Sequence, residues 1–306
     1  MNTLRGSNSL KRTHGGLYGG FPLARRDRVP FFHMENFRCE PPVQFDARVV
    51  ARPRIAAIGD LHVRGPEDGQ TLSRLMKISN QADVLLVAGD LTENGRLIEA
   101  EIVGELLASC HVPVVAVLGN HDLRTLRRVA FRRILERWGI EVLEGRSTSV
   151  QLPGGLRIGI AGTVGCGGGF WPLEGPKAIH SRTMKRLAIR SKRESIALDR
   201  ALQSVEADIH IALTHFSPTT STLGREPLAK YWMLGNCELG VVLDRRAPDL
   251  IVHGHAHLGN FRGRTPGGLP VMNVALPVIG GIHFETPEQL MDGRIGADAE
   301  IARQWA

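Results

Sequence analysis

Arg54-Ile55-Ala56-Ala57-Ile58-Gly59-Asp60-Leu61-His62 sets the fold and the chemistry together: a short apolar run, a glycine, then two side chains able to hold a metal. Four more apolar runs end in candidate metal ligands. Residues 84–88 run into Gly89-Asp90, and residues 112–118 into Gly119-Asn120-His121-Asp122. Residues 209–214 end at His215, and residues 250–253 run into Gly254-His255-Ala256-His257. The runs are rich in Val, Ile, Leu and Ala, as strands buried on both faces should be. Each is expected to deliver its polar residues at a strand end, so that all five stretches converge on one edge of a sheet. In open α/β sheets, ligands bind at the carboxyl ends of strands. The flanking glycines are expected to let the chain turn sharply there and let backbone approach a bound anion.

Asp, Asn and His supply the oxygen and nitrogen donors that hold Mn, Fe or Zn in hydrolytic sites. Singly, each motif is weak. Their number and order point to two metals sharing one carboxylate.

Working outward, apolar spacing predicts helices between the first strands. One spans residues 71–79 with Leu72, Leu75 and Met76 inward, and another spans 97–109 with Ile98, Ile102 and Leu106 inward. A third is expected over 123–138, closed by Gly139. Further strands are read at 140–143, 147–152, 156–161, 271–275 and 281–284, with a long helix over 183–205. The glycine-rich stretch 165–175 reads as a loop. Residues 1–50 lack periodicity and read as a loosely packed extension to a domain over 51–306, with Met34 a candidate true start. The economical architecture is two sheets in the middle with helices outside.

The chain has 306 residues, 42% of them apolar and 23% charged, as in ordinary globular proteins. No apolar run approaches the roughly 20 residues of a membrane-spanning helix, and the first 20 residues lack the apolar core of a secretory signal. A cytoplasmic location is expected. Cys39, Cys110, Cys166 and Cys237 are widely spaced, as reduced thiols would be. The net charge of +7 favours anionic partners. Arginines cluster at Arg124, Arg127, Arg128, Arg132, Arg133 and Arg137, and again around Arg186 and Arg190. Without interleaved aromatic residues these read as solvated helix faces, and nucleic-acid binding is the less favoured reading.

Taken together, Gly-Asp-Leu-His, Gly-Asp-Leu-Thr-Glu-Asn-Gly, Gly-Asn-His-Asp and Gly-His-Ala-His resemble the motifs of the calcineurin-like metallophosphoesterase superfamily over residues 54–284. The likeness is greatest to its bacterial branch with the class III cyclic-nucleotide phosphodiesterases. The resemblance implies a four-layer αββα sandwich with two central mixed β-sheets. It also implies that Asp60, His62 and His257 hold one metal, that Asn120, His215 and His255 hold a second, and that Asp90 bridges them. The ions would be Mn2+, Fe2+/Fe3+, Zn2+ or Co2+. His121 matches the position that contacts phosphate or assists the leaving group.

Two cations about 3.5–4 Å apart clamp a phosphate and acidify a shared water, whose hydroxide attacks phosphorus in line. The expected substrate is a small phosphodiester or phosphomonoester; a nuclease or nucleotide pyrophosphatase is the alternative, and a non-catalytic metal-binding scaffold ranks below both. Related protein phosphatases follow Gly-Asp with Asp-Arg-Gly, whereas this chain has Glu93-Asn94-Gly95, which turns the reading away from a protein phosphatase. Asp122 is expected to cap the helix after it, with orientation of His121 as the other reading. His253 reads as a supporting or core histidine. Phe170, Trp171, Tyr231 and Trp232 wall a substrate pocket or cover core, and Cys166 and Cys237 read as inert.

Overall fold

The computed structural model describes residues 53–170, 173–174, 182–287 and 289. The extension read over 1–50, the Met34 start, Cys39 and Trp171 lie outside them. In chain order the elements begin β1 (Ile55–Ile58), α1 (Pro66–Ser79), β2 (Val84–Ala88), α2 (Leu97–Ala108), β3 (Val114–Val117), α3 (Arg128–Arg137) and β4 (Ile140–Leu143). Next come β5 (Arg146–Gln151), β6 (Arg157–Thr163), the two-residue strands β7 (Gly169–Phe170) and β8 (Leu173–Glu174), and α4 (Arg182–Ser204). The rest are β9 (Ile209–Thr214), α5 (Tyr231–Leu234), α6 (Cys237–Arg246), β10 (Leu250–His253), β11 (Arg262–Arg264), β12 (Pro270–Asn273), α7 (Leu276–Ile279) and β13 (His283–Glu285).

Two mixed sheets form the centre. One has the order β13-β1-β2-β3-β4 and the other β11-β12-β10-β9-β6-β5. Within them β1 to β4 are parallel, as are β12, β10, β9 and β6, while the edge strands β13, β11 and β5 run antiparallel. Every residue of β1, β2, β3, β9 and β10 except His210 is buried, which is why these strands read as predominantly apolar runs. One set of alternating residues fills the space between the sheets: Ile55, Leu86 and Val115 with Ile160, Ile211 and Val252. The other set carries the helices. Ile58, Leu85 and Val87 lie in a core with Met76, Leu107 and Phe131 of α1 to α3. Ala161, Ala212 and Ile251 share it with Leu198 and Ala201 of α4 and Leu243 of α6. The result is the four-layer αββα sandwich.

The structure departs from expectation in several places. The helix read over 123–138 is broken. A 3-10 turn spans Asp122–Arg124, Thr125 is extended (φ −71°, ψ 141°), and α3 starts only at Arg128. In α2 Ile98 is 64% exposed, and Ala100, Val103 and Leu107 face the core instead. Helix α6 is an addition to the elements expected, although Asn236 caps it by accepting from the Leu239 N–H at 2.9 Å and Arg245 and Arg246 close it. The glycine-rich loop contains the β7–β8 pairing.

At one end the sheets are stitched together. The Gly59 N–H donates to the Val274 carbonyl (2.8 Å) and Leu276 N–H to the Gly59 carbonyl (2.9 Å), tying the end of β1 to the segment after β12. The candidate ligands lie at this end, so they converge between two sheets and not along the edge of one.

Candidate metal centre

Asp60 and His62 follow β1, Asp90 follows β2, and Asn120 and His121 follow β3. His215 follows β9, and His255 and His257 follow β10. Asp60, Asp90 and His215 are at most 2% exposed. Four of these residues hold left-handed backbone: Asp60 (φ 59°), His62 (φ 48°), Asp90 (φ 47°) and His255 (φ 69°). For non-glycine residues that costs about 1–2 kcal/mol each, so surrounding bonds must enforce it. They do so. Asp60 N–H donates to the Gly89 carbonyl (2.9 Å), His62 N–H to the Asp90 carbonyl (3.0 Å), and His255 N–H to the Asp60 carboxylate (3.0 Å to Oδ2).

The side chains form overlapping groups. Asp60, His62 and His257 bring one potential ligand atom each within 4.8 Å of one another, as do Asp90, His215 and His255. Asp90 lies between the groups, its Oδ2 3.8 Å from His62 Nε2 and 3.4 Å from His215 Nε2. Asn120 Oδ1 is 2.9 Å from His215 Nε2, and His257 Nε2 is 2.8 Å from Asp60 Oδ1. The seven residues named from the sequence are thus brought to one place. A third group, His62, Glu93 and His121, adjoins them.

The imidazoles are oriented from behind. His215 Nδ1 faces the Ala88 carbonyl at 2.9 Å, so it carries a proton and Nε2 faces the centre. His255 Nε2 donates to the Met233 carbonyl (3.2 Å), leaving Nδ1 as its free lone pair. His253 is fully buried, bonded to Thr222 Oγ1 (2.8 Å) and the Gly254 carbonyl (2.7 Å), and supports the centre from within the core. Burial holds His255 down to about 3 and His253 to about 4, and it lowers His62 as well, so these rings stay neutral. Burial also opposes charge on His215, but the Asp90 carboxylate more than reverses this and lifts it to about 9.

Metal ions fit this donor set. His62 Nε2 is buried without a hydrogen-bond partner and faces Asp60 Oδ1 at 3.9 Å as well as Asp90, while Nδ1 lies 3.1 Å from Glu93 Oε2. An orphaned buried nitrogen between two buried carboxylates is costly unless a cation lies among them.

The glycines serve chiefly to make room. A Cβ on Gly119 would overlap Asp90 Oδ1 and the Asp90 nitrogen, and one on Gly254 would overlap Asp60 Oδ2. Neither has positive φ; only Gly89 (φ 84°) bears out the expectation of a sharp turn.

Asp122 neither caps a helix through its side chain nor bonds to the His121 ring. Its Oδ2 accepts from the Gly119 N–H (2.8 Å) and Leu91 N–H (3.1 Å), and its Oδ1 from the N–H (2.8 Å) and hydroxyl (2.7 Å) of Thr92. It locks the loop after β2 to the loop after β3. Burial, then the charge of Asp90, pushes its carboxyl up to about 6. His121 Nδ1 donates to the Glu93 carbonyl (2.8 Å), while its Nε2 accepts from Arg124 (3.0 Å). Sequence reasoning missed Arg124; the signal was its place one helical turn after His121.

A cavity of about 620 Å³ opens beside the centre, touching Asn120 and His255. Gly167 and Trp232 line it, from the two irregular stretches expected to build a pocket, together with residues from the start of α4. Phe170 instead joins a small core with Leu223 and Leu234, and Tyr231 packs against it. Cys166 lines the cavity, but burial pushes its thiol up to about 11, which keeps it unreactive. Away from the site part of the first arginine cluster is engaged by carboxylates: Arg128 on Glu144 (2.7 Å), Arg132 on Glu144 (3.3 Å) and Arg137 on Glu101 (2.5 Å).

A comparison with one solved structure agrees with this architecture. One solved crystal structure superposes with a TM-score of 0.54 at 13% identity, covering 78% of this chain and 96% of the other. A putative 5'-nucleotidase from Staphylococcus aureus gives 0.49 at 16%, covering 76% of this chain and 50% of its own. TT1561 of Thermus thermophilus gives 0.47 at 16%, covering 77% and 99%. No curated protein matches in sequence. The family model described as calcineurin-like phosphoesterase matches residues 53–259, a span that runs from the strand before Asp60 to just past His257, and the chain belongs to that family.

Proposed function

We propose that the chain hydrolyses a small phosphodiester or phosphomonoester at a dinuclear centre. Asp60, His62 and His257 hold one ion, Asn120, His215 and His255 the other, and Asp90 bridges them. Family membership makes the protein a metal-dependent phosphoric ester hydrolase; the ligand partition, the ion count and the ester class are our reading. The observation that carries it is the buried Nε2 of His62, which has no hydrogen-bond partner and faces both Asp60 and Asp90. When bound, ions of the Mn, Fe, Zn or Co type would neutralise phosphoryl charge and acidify water.

The chain's own residues do the rest. Neutral His62 and His255 fill terminal positions without adding negative charge that would repel a phosphate. His121 faces the centre, its Nε2 4.0 Å from Asp90 Oδ2. It is our candidate for steadying the departing alkoxide, once Arg124 turns from His121 Nε2 toward a bound phosphate. A cytoplasmic setting, where the cysteines stay reduced, belongs to the same reading. The nuclease alternative rests on the basic helices, and the pairing of Arg128 and Arg132 with Glu144 and of Arg137 with Glu101 takes up part of the charge on α3 that it would need. The test is Asp90→Asn: metal content by mass spectrometry and hydrolysis of bis(4-nitrophenyl) phosphate. We expect loss of at least one ion and about a thousandfold loss of rate. Two ions and wild-type turnover in the variant would sink the bridge.

A further inference from the structure

The cavity beside the centre carries an inference about what is cleaved, which rests on the reading of that centre as a phosphoester site. Phosphate alone would leave most of about 620 Å³ empty; that volume is typical of sites that enclose a drug-sized organic group. Its walls are mostly apolar. Phe216 packs its ring against His255 with centroids 4.4 Å apart, so the aromatic surface starts at the centre itself. Trp232 and Leu187 extend it outward, and Met233 lies at the rim with half its surface exposed.

Three cations interrupt this apolar surface: Arg186 and Arg190 on α4, and Lys230 just before α5. Arg190 is engaged by Glu194 at 3.7 Å. Among the described residues no carboxylate lies within ion-pair distance of Arg186 or Lys230, whereas Arg128, Arg132, Arg137, Arg245 and Arg246 all have one. Cations left unneutralised at an apolar cavity beside a cationic centre select for negative charge beyond the phosphate.

We infer that the substrate is an aromatic phosphoester with a second anionic group on its ring, the ring held against Phe216 and Trp232 and the second anion between Arg186 and Lys230. A purely apolar alcohol would leave both cations facing its hydrocarbon, and a small aliphatic one would leave the aromatic wall exposed.

The test uses non-hydrolysable mimics, so binding is read apart from turnover. Calorimetry on the Mn2+-reconstituted full chain compares phenylphosphonate with 4-phosphonobenzoate, which differ by one ring carboxylate. We expect 4-phosphonobenzoate to bind roughly five- to tenfold more tightly, the effect of one or two partly screened ion pairs. In Arg186→Ala/Lys230→Ala this preference should vanish while two ions per chain are retained, and Trp232→Ala should weaken both ligands alike. Equal binding of the two by the wild-type chain, or a preference that survives the double substitution, would overturn the inference and leave the metal centre standing. A chain that takes up no metal, or that takes up two ions and binds neither phosphonate, would instead bring down the reading of the centre and this inference with it.

Discussion

Gly119→Ala is the sharpest test of how the ligand loops are packed, because it needs no assumption about what is bound. The added methyl group falls on Asp90 Oδ1 and the Asp90 backbone nitrogen. Neither can retreat easily. Asp90 Oδ1 accepts from the His121 N–H at 2.8 Å, and Gly119 donates its own N–H to buried Asp122 at 2.8 Å. Overpacking costs about 1–3 kcal/mol even where neighbours can give. Opening two bonds to charged acceptors adds about 1.5–3 kcal/mol each. We therefore expect a loss of about 4 kcal/mol or more, against a total of about 5–15 for a typical domain. Gly139→Ala is the control. Gly139 has φ 81° and no heavy atom within 4 Å of its would-be Cβ, so alanine there meets only the left-handed penalty of about 1–2 kcal/mol. Urea denaturation of both variants in EDTA measures the difference. If Gly119→Ala is no less stable than Gly139→Ala, the close approach of Gly119 to Asp90 does not constrain the loops, and the glycines do not serve to make room.

Three further outcomes are expected. Asp122→Ala orphans the Leu91, Thr92 and Gly119 N–H groups at about 1–3 kcal/mol each, partly offset by removal of a buried charge, so a net loss of about 2 kcal/mol or more should appear in the same denaturation assay; an unchanged midpoint would refute its locking role. His215, raised from 6.5 to about 9, contributes stability to the metal-free protein that is fully present below pH 6.5 and lost as pH rises through about 9. Melting in EDTA should therefore weaken from pH 6.5 to 9 by a few kcal/mol, and affinity for the Mn2+ ion that His215 holds should rise over the same window, since a proton must leave His215 as that ion binds; flat profiles would contradict the Asp90–His215 interaction. On α2, Ile98→Gln should change stability by less than about 0.5 kcal/mol, while Leu107→Ala should cost about 2–5. Equal effects would put Ile98 back on the inward face.

What was legible in the sequence follows from where the information lies along the chain. Strands β2, β9 and β10 are buried almost throughout, so they appear as predominantly apolar runs with the expected bounds, and their ligands come within four residues of the strand ends. The supports were not legible because they act over distance. Asp122 bonds to Leu91 and Thr92, about thirty residues away, and that use of its carboxylate leaves none to cap a helix. Arg124 is drawn to Glu93 and His121, which helps hold the 3-10 turn apart from α3 and breaks a helix that apolar spacing alone would continue. Ile98 falls on the apolar stripe, yet α2 is oriented by Glu99, whose buried carboxylate accepts from the Asn94 N–H (2.9 Å) and the Asn94 side-chain amide (2.9 Å). That contact also gives Asn94 its task. At the place where related protein phosphatases carry a phosphate-binding arginine, this chain spends the residue on anchoring a helix. The cations nearest a bound phosphate must then come from elsewhere, and Arg124, touching His121, is placed to be one of them.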